Sequence, residues 1–389
     1  MYLYYGLNRS CFQLFRFIIA RLNYLILVSI IIASCSTSKI KTNSGKEITV
    51  AEMDQFLNQQ LDSLKLPALS IAFINNGKIV YHRALGVATI NGARKVDDQS
   101  LFEAASLSKT VFAYFVMKMV EKGKLNLDKP LYQYLPFPEI EYDERYKKIT
   151  TRMVLDHTTG LPNWRWYDEP DSTLKIKRGD IYMKNPPGTF GYSGEGYHYL
   201  AKVVAHLNGL TLQSLDSLFQ REVAAPLGLD HTYFSWHNYI GLHKVTGYQN
   251  GKVFEKAWPS APPDDDSTVF GAASTLHTDA TSYARFLIAL MESKGLKKSS
   301  IDEMLKIQSR IPKEQSANWG EITAWGLGMA IEETDQGIRY SHGGDNGGFQ
   351  AGFMFYKAKK NGYVYFTNCD RGGMFYVKLR TLLGEMKSN

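Results

Sequence analysis

Apolar and polar positions change period several times along this chain. Ala68–Ile74 (ALSIAFI) and Ile79–Leu85 are two β-rich runs on either side of Asn75-Asn76-Gly77-Lys78. Asparagine-glycine between such runs predicts a hairpin of two antiparallel strands. A helix is predicted from Leu107 to about Lys122, and its centre, Thr110–Met117, is apolar on nearly every face, so it belongs inside the fold. From about 125 to 265 the pattern is one of helix-like segments and loops; Leu200–Leu207 and Leu212–Val223 have helical apolar spacing. Pro259–Asp266 (PSAPPDDD) reads as a loop, and Asp279–Lys294 as another helix. Strand-like runs return at Gly326–Glu332, Ile338–Ser341, Phe349–Tyr356 and Tyr363–Asn368. A turn at Asn361-Gly362 is predicted to join the last two, and an amphipathic helix over about Met374–Met386 closes the chain.

Strands, then helices, then strands predict a mixed α/β (α+β) fold. One antiparallel sheet is assembled from both chain ends and flanked by helices, and the middle forms an inserted, mainly helical lobe. The α/β lobe covers about 47–125 and 266–389, the helical lobe about 126–265. A cleft between the two is the expected place for a ligand.

Composition narrows the class. With 389 residues, 44% hydrophobic and 21% charged, the chain can bury a sizeable core. Its 32 glycines, 13 prolines and 3 cysteines exclude disorder, collagen and a disulfide scaffold. The net charge of +7 raises nucleic acid as a partner. Three of those charges (Arg9, Arg16, Arg21) lie in the first 34 residues, which hold no acid. The remaining surplus forms no basic stripe, so no nucleic-acid partner is expected.

That N-terminal segment reads as an address. Arginines precede the apolar run Leu25–Ala33 (LILVSIIIA), and small residues follow. A cationic region, a short apolar core and a small-residue cleavage site form a secretory signal. Ile32-Ala33-Ser34-Cys35 resembles the bacterial lipobox, in which the cysteine becomes the lipidated first residue. The expectation is a signal peptide over 1–34, a tether over 35–46 and a folded domain over 47–389. That makes an exported, membrane-anchored lipoprotein of the cell envelope, facing the periplasm or the exterior. The alternative is an uncleaved anchor helix reaching back through Phe17-Ile18-Ile19-Ala20, although Arg21 and Asn23 interrupt it. With Cys11 removed and Cys35 acylated, Cys369 is left alone and reads as a buried, inert thiol. The nine histidines show no metal-ligand spacing.

The stretch Glu103–Met119 (EAASLSKTVFAYFVMKM) carries the most chemistry. Its apolar helix has Ser106, Ser108 and Lys109 in its first turn. A lysine at the head of a buried helix is costly unless it is paired or its shifted pKa is used. Ser106 and Lys109 are an i,i+3 pair, so both side chains lie on one face. A hydroxyl beside an amine there makes a candidate activated nucleophile. Ser106 as a plain helix cap, with Lys109 reaching solvent, is the bland alternative.

Two further motifs follow in order. Tyr192-Ser193-Gly194 lies within PGTFGYSGEGY, and His342-Gly343-Gly344 follows the strand-like Ile338–Ser341. Together with Ser106-x-x-Lys109 they resemble the class C β-lactamase and penicillin-binding serine hydrolase superfamily. Its signatures are S-x-x-K, Y-x-N and K-T-G or H-x-G. The resemblance runs from about Val50 to the C-terminus and includes Met153–Pro162 (MVLDHTTGLP) and Pro226-Leu227-Gly228-Leu229. It implies a β-lactamase/DD-peptidase-like fold, with Ser106 as the acylated nucleophile. Lys109 and Tyr192 would share the general-base work, and which of them takes the proton is left open. The backbone N–H groups of Ser106 and Asp345 would form the oxyanion hole, and Gly343 and Gly344 would leave the strand bare for substrate.

Two departures matter. Gly194 stands where the family has an asparagine whose amide contacts substrate and lysine. His342 stands where a lysine would supply a permanent cation. Both disfavour an efficient β-lactamase and fit the D-aminopeptidase, DD-peptidase and esterase branch. Glu195 either supplies polar contacts in place of that asparagine or is a solvated loop carboxylate. His157 reads as structural, and the aspartates at 264–266 as a solvated loop. Trp164, Trp166 and Tyr167 are either cleft wall or core.

The function expected is a serine hydrolase that cleaves an amide or ester through a covalent acyl-enzyme. Its substrate would be a D-amino-acid peptide or a small ester, with β-lactams disfavoured. No metal or organic cofactor is implied. The partners expected are a small-molecule or peptide substrate and, through the lipid anchor, the membrane. The competing expectation is a non-catalytic envelope binding or sensor protein that keeps the pocket, supported by the missing asparagine at 194. The intact Ser106, Lys109 and Tyr192 set argues against it.

Overall fold

The hairpin at the start of the domain forms as its turn chemistry requires. Strand β1 (Ala68–Asn75) pairs antiparallel with β2 (Lys78–Gly86) across Asn76 and Gly77, which both hold positive φ, 51° and 71°. The computed structural model describes residues 39–166, 176–235, 238–254 and 269–386. The signal segment with Cys35, Tyr167, and the loop Pro259–Asp266 with its aspartates lie outside the described residues. From Ile40 onward the chain forms one compact unit. No helix among the described residues is long and apolar enough to cross a membrane.

The remaining strands come from the other end of the chain. They are β3 (Ser309–Arg310), β4 (Ala324–Trp325), β5 (Ala330–Thr334), β6 (Gly337–Asp345), β7 (Gln350–Tyr356) and β8 (Asn361–Thr367). The eight strands form one sheet in the order β2-β1-β8-β7-β6-β5-β4-β3, and every pairing is antiparallel. The sheet is therefore joined by the pairing of β1 with β8, which come from opposite ends of the domain, as the strand-helix-strand order predicts.

Helices cover both faces, and the alternation of side chains explains how. Leu69, Ile71 and Phe73 of β1, with Tyr363 and Tyr365 of β8, pack with residues of α1 (Val50–Leu64) and α5 (Gly372–Leu383). Ala68, Ala72, Val364 and Phe366 join the core on the other face. There α4 (Ala280–Glu292) lies along β1 and β8, with α2 (Ser108–Glu121) and α3 (Gly194–Leu207) in the same core. Helix α1 starts with a capping box, Thr49 with Glu52, and α4 with Asp279, whose carboxylate accepts from Thr281 N and Ser282 N at 2.7 and 2.9 Å. Helix α2 buries every residue from Ser108 to Met117, as its all-round apolarity predicts.

Three sequence expectations are corrected. The tether expected up to 46 is packed from Ile40, which is 1% exposed, and Lys41 N donates to Asn75 Oδ1 at 2.8 Å. The run Gly326–Glu332 is not one strand, because Gly326 and Gly328 turn the chain between β4 and β5. Asn361-Gly362 is not a turn. The reversal falls at 357–360, where Lys360 holds φ 51°, and Gly362 is a strand residue paired with Phe355 and Ile74. A Cβ at 362 would lie 2.5 Å from the Met354 carbonyl oxygen, so this glycine permits a close approach of strands.

Candidate active site

Ser106 sits in a short turn, Ala105–Leu107, that leads directly into α2. Between Leu101 and Met117 it is the one residue that is not buried. The residue before it, Ala105, holds φ 47°, a left-handed conformation unfavourable for a residue with a Cβ. One turn on, Lys109 is fully buried, and its Nζ donates to Ser106 Oγ at 3.2 Å and to the Ala273 carbonyl oxygen at 2.9 Å. The i,i+3 spacing read from sequence is thus realised as a direct contact.

Tyr192 comes to the same place from the residue just before the cap of α3. Ser193 accepts from Gly196 N at 3.1 Å, donates its hydroxyl to the Pro162 carbonyl oxygen at 2.8 Å, and its backbone N–H donates to His157 Nδ1 at 3.1 Å. Ser193 therefore anchors the turn that carries Tyr192. The Tyr192 ring lies 4.8 Å from Lys109 Nζ. Behind it stands an aromatic wall: His157, Trp319 and Trp325 have centroids 4.1, 5.7 and 5.8 Å from that of Tyr192.

His342 reaches the site from the middle of β6, its ring 6.1 Å from that of Tyr192. Strand β6 runs beside the Ala105–Leu107 turn, and Gly344 is what allows it. A Cβ at 344 would lie 2.7 Å from the Ala104 carbonyl oxygen and 3.1 Å from Ala105 Cβ. At Gly343 a Cβ would meet nothing within 4 Å, so this residue faces open space. Asp345 ends the strand with an exposed carboxylate that accepts from Gly347 N at 2.7 Å and Gln350 Nε2 at 2.8 Å. Beside it Asn346 is buried and donates to Glu103 Oε2 at 2.5 Å, which ties the strand end to the segment leading to Ser106.

Electrostatics follow from burial. Desolvation holds the Lys109 ammonium down, to about 7 from an ordinary 10.5. Burial pushes the Tyr192 phenol above its ordinary value, with the nearby Ser106 hydroxyl opposing the shift. His342 is pushed down to about 3 by burial and by the Lys109 charge, so it is neutral at pH 7. Its Nδ1 donates to the Gly343 carbonyl oxygen at 2.6 Å. Among the described residues no group of three or more His, Cys, Asp or Glu side chains is placed to hold a metal ion.

A family model named Beta-lactamase matches residues 53–385. The chain belongs to the Beta-lactamase family. Protein flp of Staphylococcus aureus (strain NCTC 8325 / PS 47) is 25% identical to it over 207 residues, 51% of this chain and 41% of that protein. The match thus spans less than half the length of that relative. Among solved structures, a class C beta-lactamase superposes with a TM-score of 0.67 at 20% identity, covering 86% of this chain and 96% of the other. EstCE1, a hydrolase with promiscuous acyltransferase activity, gives 0.69 at 20% identity, covering 83% and 94%. These two likenesses are of fold. Members of the Beta-lactamase family are generally serine hydrolases.

In this member of the Beta-lactamase family three sequence readings resolve. Glu195 is neither a solvated carboxylate nor a partner of Lys109. It is buried, and it accepts from Arg165 N at 3.1 Å and from the Arg165 guanidinium at 3.1 and 2.9 Å. His157 is structural in the sense expected, buried behind Tyr192. Gly194 is explained by Trp164: a Cβ at 194 would lie 2.7–2.9 Å from three atoms of its indole ring. Sequence reasoning had no signal for the Ala273 carbonyl or for Asn346, because both reach the site through the chain path alone.

Proposed function

We propose that this protein is an exported serine hydrolase acting through a covalent acyl-enzyme on an uncharged ester or amide. The observation that carries the reading is the 3.2 Å contact from Lys109 Nζ to the Oγ of Ser106, the one open position on an otherwise buried segment. A lysine titrating near 7 is half neutral at physiological pH and can take the hydroxyl proton as Oγ attacks the carbonyl carbon. The Tyr192 phenol, held protonated by burial, can relay that proton to the leaving group. The backbone N–H groups of Ser106 and Asp345 then receive the oxyanion, and water releases the acyl group from Ser106.

The charge around the site favours a neutral substrate. His342 supplies no cation at pH 7, and the Asp345 carboxylate stands exposed at the end of β6. A substrate with a free carboxylate, as in a β-lactam, finds repulsion on this side where a lysine would attract it. A small ester, or a peptide without a carboxylate near the scissile bond, fits better. The arginines ahead of Leu25–Ala33, and Cys35 after it, support export and lipid anchoring. Cys35→Ala should move the protein out of the membrane fraction.

Intact-mass labelling with a fluorophosphonate and, separately, with a penicillin tests the mechanism, beside Ser106→Ala. A single fluorophosphonate adduct that the variant loses is the expected result. Folded protein that takes neither reagent would overturn the reading and leave a non-catalytic binding protein in its place.

A further inference from the structure

Gly194 opens helix α3 one residue after its cap, at a backbone angle any residue can adopt. Its lack of a side chain is therefore a matter of space. The edge of the Trp164 indole fills that space, with Cη2, Cζ2 and Cζ3 at 2.7, 2.8 and 2.9 Å from where a Cβ would stand. The same ring has its centroid 5.9 Å from Lys109 Nζ, which places it beside the Ser106-Lys109 pair. Trp164 is half-buried and packs against the core, while Lys109 is fully buried.

The loop that carries Trp164 is held rigidly. Gly194 N donates to the Asn163 carbonyl oxygen at 3.0 Å and to Asn163 Oδ1 at 3.1 Å, and Glu195 N donates to the same carbonyl at 3.2 Å. On the other side Arg165 is locked to the buried Glu195 carboxylate through its backbone N–H and its guanidinium. The tryptophan thus stands between two residues fastened to the start of α3. A ring fixed in this way can act as a wall, because no rotation of the loop is needed to present it.

We propose that Trp164 is a specificity-determining residue of this site, walling the acyl side with an apolar face in the space that a side chain at 194 would occupy. The inference rests on the acyl-enzyme reading and names its substrate class: esters or amides whose acyl group is aliphatic or aromatic, without a polar substituent on the side facing α3. An amide in the acyl chain buried against this ring would lose its hydrogen bonds to water and gain none. Discrimination of about ten- to a hundredfold is the usual consequence of leaving such a group unpaired.

The test compares p-nitrophenyl pentanoate with p-nitrophenyl N-acetylglycinate, which share a leaving group and differ by an amide in the acyl chain. A separate portion of wild type, Trp164→Phe, Trp164→Gln and the double variant Trp164→Ala/Gly194→Asn is first tested for fluorophosphonate labelling at Ser106, and the kinetics are measured on untreated protein. Wild type that does not label overturns the acyl-enzyme reading, which is a separate failure. Among untreated samples of the proteins that pass this test, wild type and Trp164→Phe should prefer the pentanoate in kcat/KM. The double variant, which makes room for an amide at 194, should shift the ratio by at least about tenfold toward the N-acetylglycinate. If the double variant does not fold, Trp164→Gln places an amide there with Gly194 intact and should shift the ratio the same way. Wild type that prefers the N-acetylglycinate, or a ratio unmoved in an untreated glutamine or double variant whose Ser106 is competent to label, overturns the proposal.

Discussion

The imidazole of His157 lies against the phenol of Tyr192, ring centroids 4.1 Å apart, and its Nδ1 accepts the N–H of Ser193, the next residue along, at 3.1 Å. A backbone N–H can only donate, so the ring proton of the neutral His157 sits on Nε2. Burial and the nearby Lys109 charge keep that ring neutral, well below its ordinary pKa. His157 is therefore a positioning residue: it fixes both the plane of Tyr192 and the turn that carries it.

His157→Ala should leave the Ser193 N–H unpaired and a cavity beside Tyr192, lowering stability by about 2–4 kcal/mol. Fluorophosphonate labelling of Ser106 should slow by about tenfold, with the pH midpoint of labelling unchanged, since Lys109 sets that midpoint. His157→Gln, which retains an acceptor, should recover part of the rate. A midpoint that moved in these variants would instead make His157 part of the proton transfer.

Lys109 links activity to stability with a definite sign. Its folded pKa, about 7, is below its ordinary 10.5. The unfolded chain thus holds this proton across a range where the native state has released it. This group's contribution to stability therefore rises between pH 7 and 10.5 and is least favourable below 7. Labelling should rise through pH 7 as the amine becomes neutral. Lys109→Met should abolish labelling and yet raise stability at pH 6 by a few kcal/mol, a gain that shrinks toward pH 10. Urea unfolding at the two pH values checks this, and a methionine variant less stable at pH 6 would contradict it.

The two glycines of the third motif should behave differently. Gly344→Ala drives a Cβ against the backbone of Ala104 and should lower stability by about 1–3 kcal/mol, with labelling reduced as β6 is pushed from Ser106. Gly343→Ala meets no atom within 4 Å, so its unfolding midpoint should match wild type. Its KM for a p-nitrophenyl ester should rise, because the methyl stands where substrate would lie along the strand. Equal effects of the two changes would show that substrate does not use that face.

Glu195→Gln tests the buried ion pair. The side chains of Arg165 and Glu195 are 11% and 4% exposed, so removing the negative partner leaves the guanidinium with the more exposed Glu139 among the described residues. Destabilisation of about 2–4 kcal/mol is expected in thermal or urea unfolding. A solvated carboxylate at 195 would give a change near zero.

How much of this was legible beforehand depends on how far apart the interacting residues are. The 68–86 hairpin, the buried helix and the Ser106-Lys109 pair were readable because turn chemistry, hydrophobic period and i,i+3 spacing are settled within a few residues. The three motifs in order pointed to the family for a related reason: their spacing is a property of the chain alone. Where one residue type carries two meanings, the reading failed. Asn361-Gly362 matched a hairpin turn, yet Gly362 is there for a close approach to β7 that no neighbouring residue announces.

The opposite shifts of Lys109 and Tyr192, the neutrality of His342, the pairing of Glu195 with Arg165 and the filling of the Gly194 space by Trp164 were decided in tertiary structure. Each depends on desolvation or contact between segments distant in the chain. Burial shifts a lysine and a phenol in opposite directions, and it is set by the packing of α2, α3 and β6 around one point. A linear pattern can name the residues that meet there. Their protonation, and the volume left between them, exist only once the water has gone.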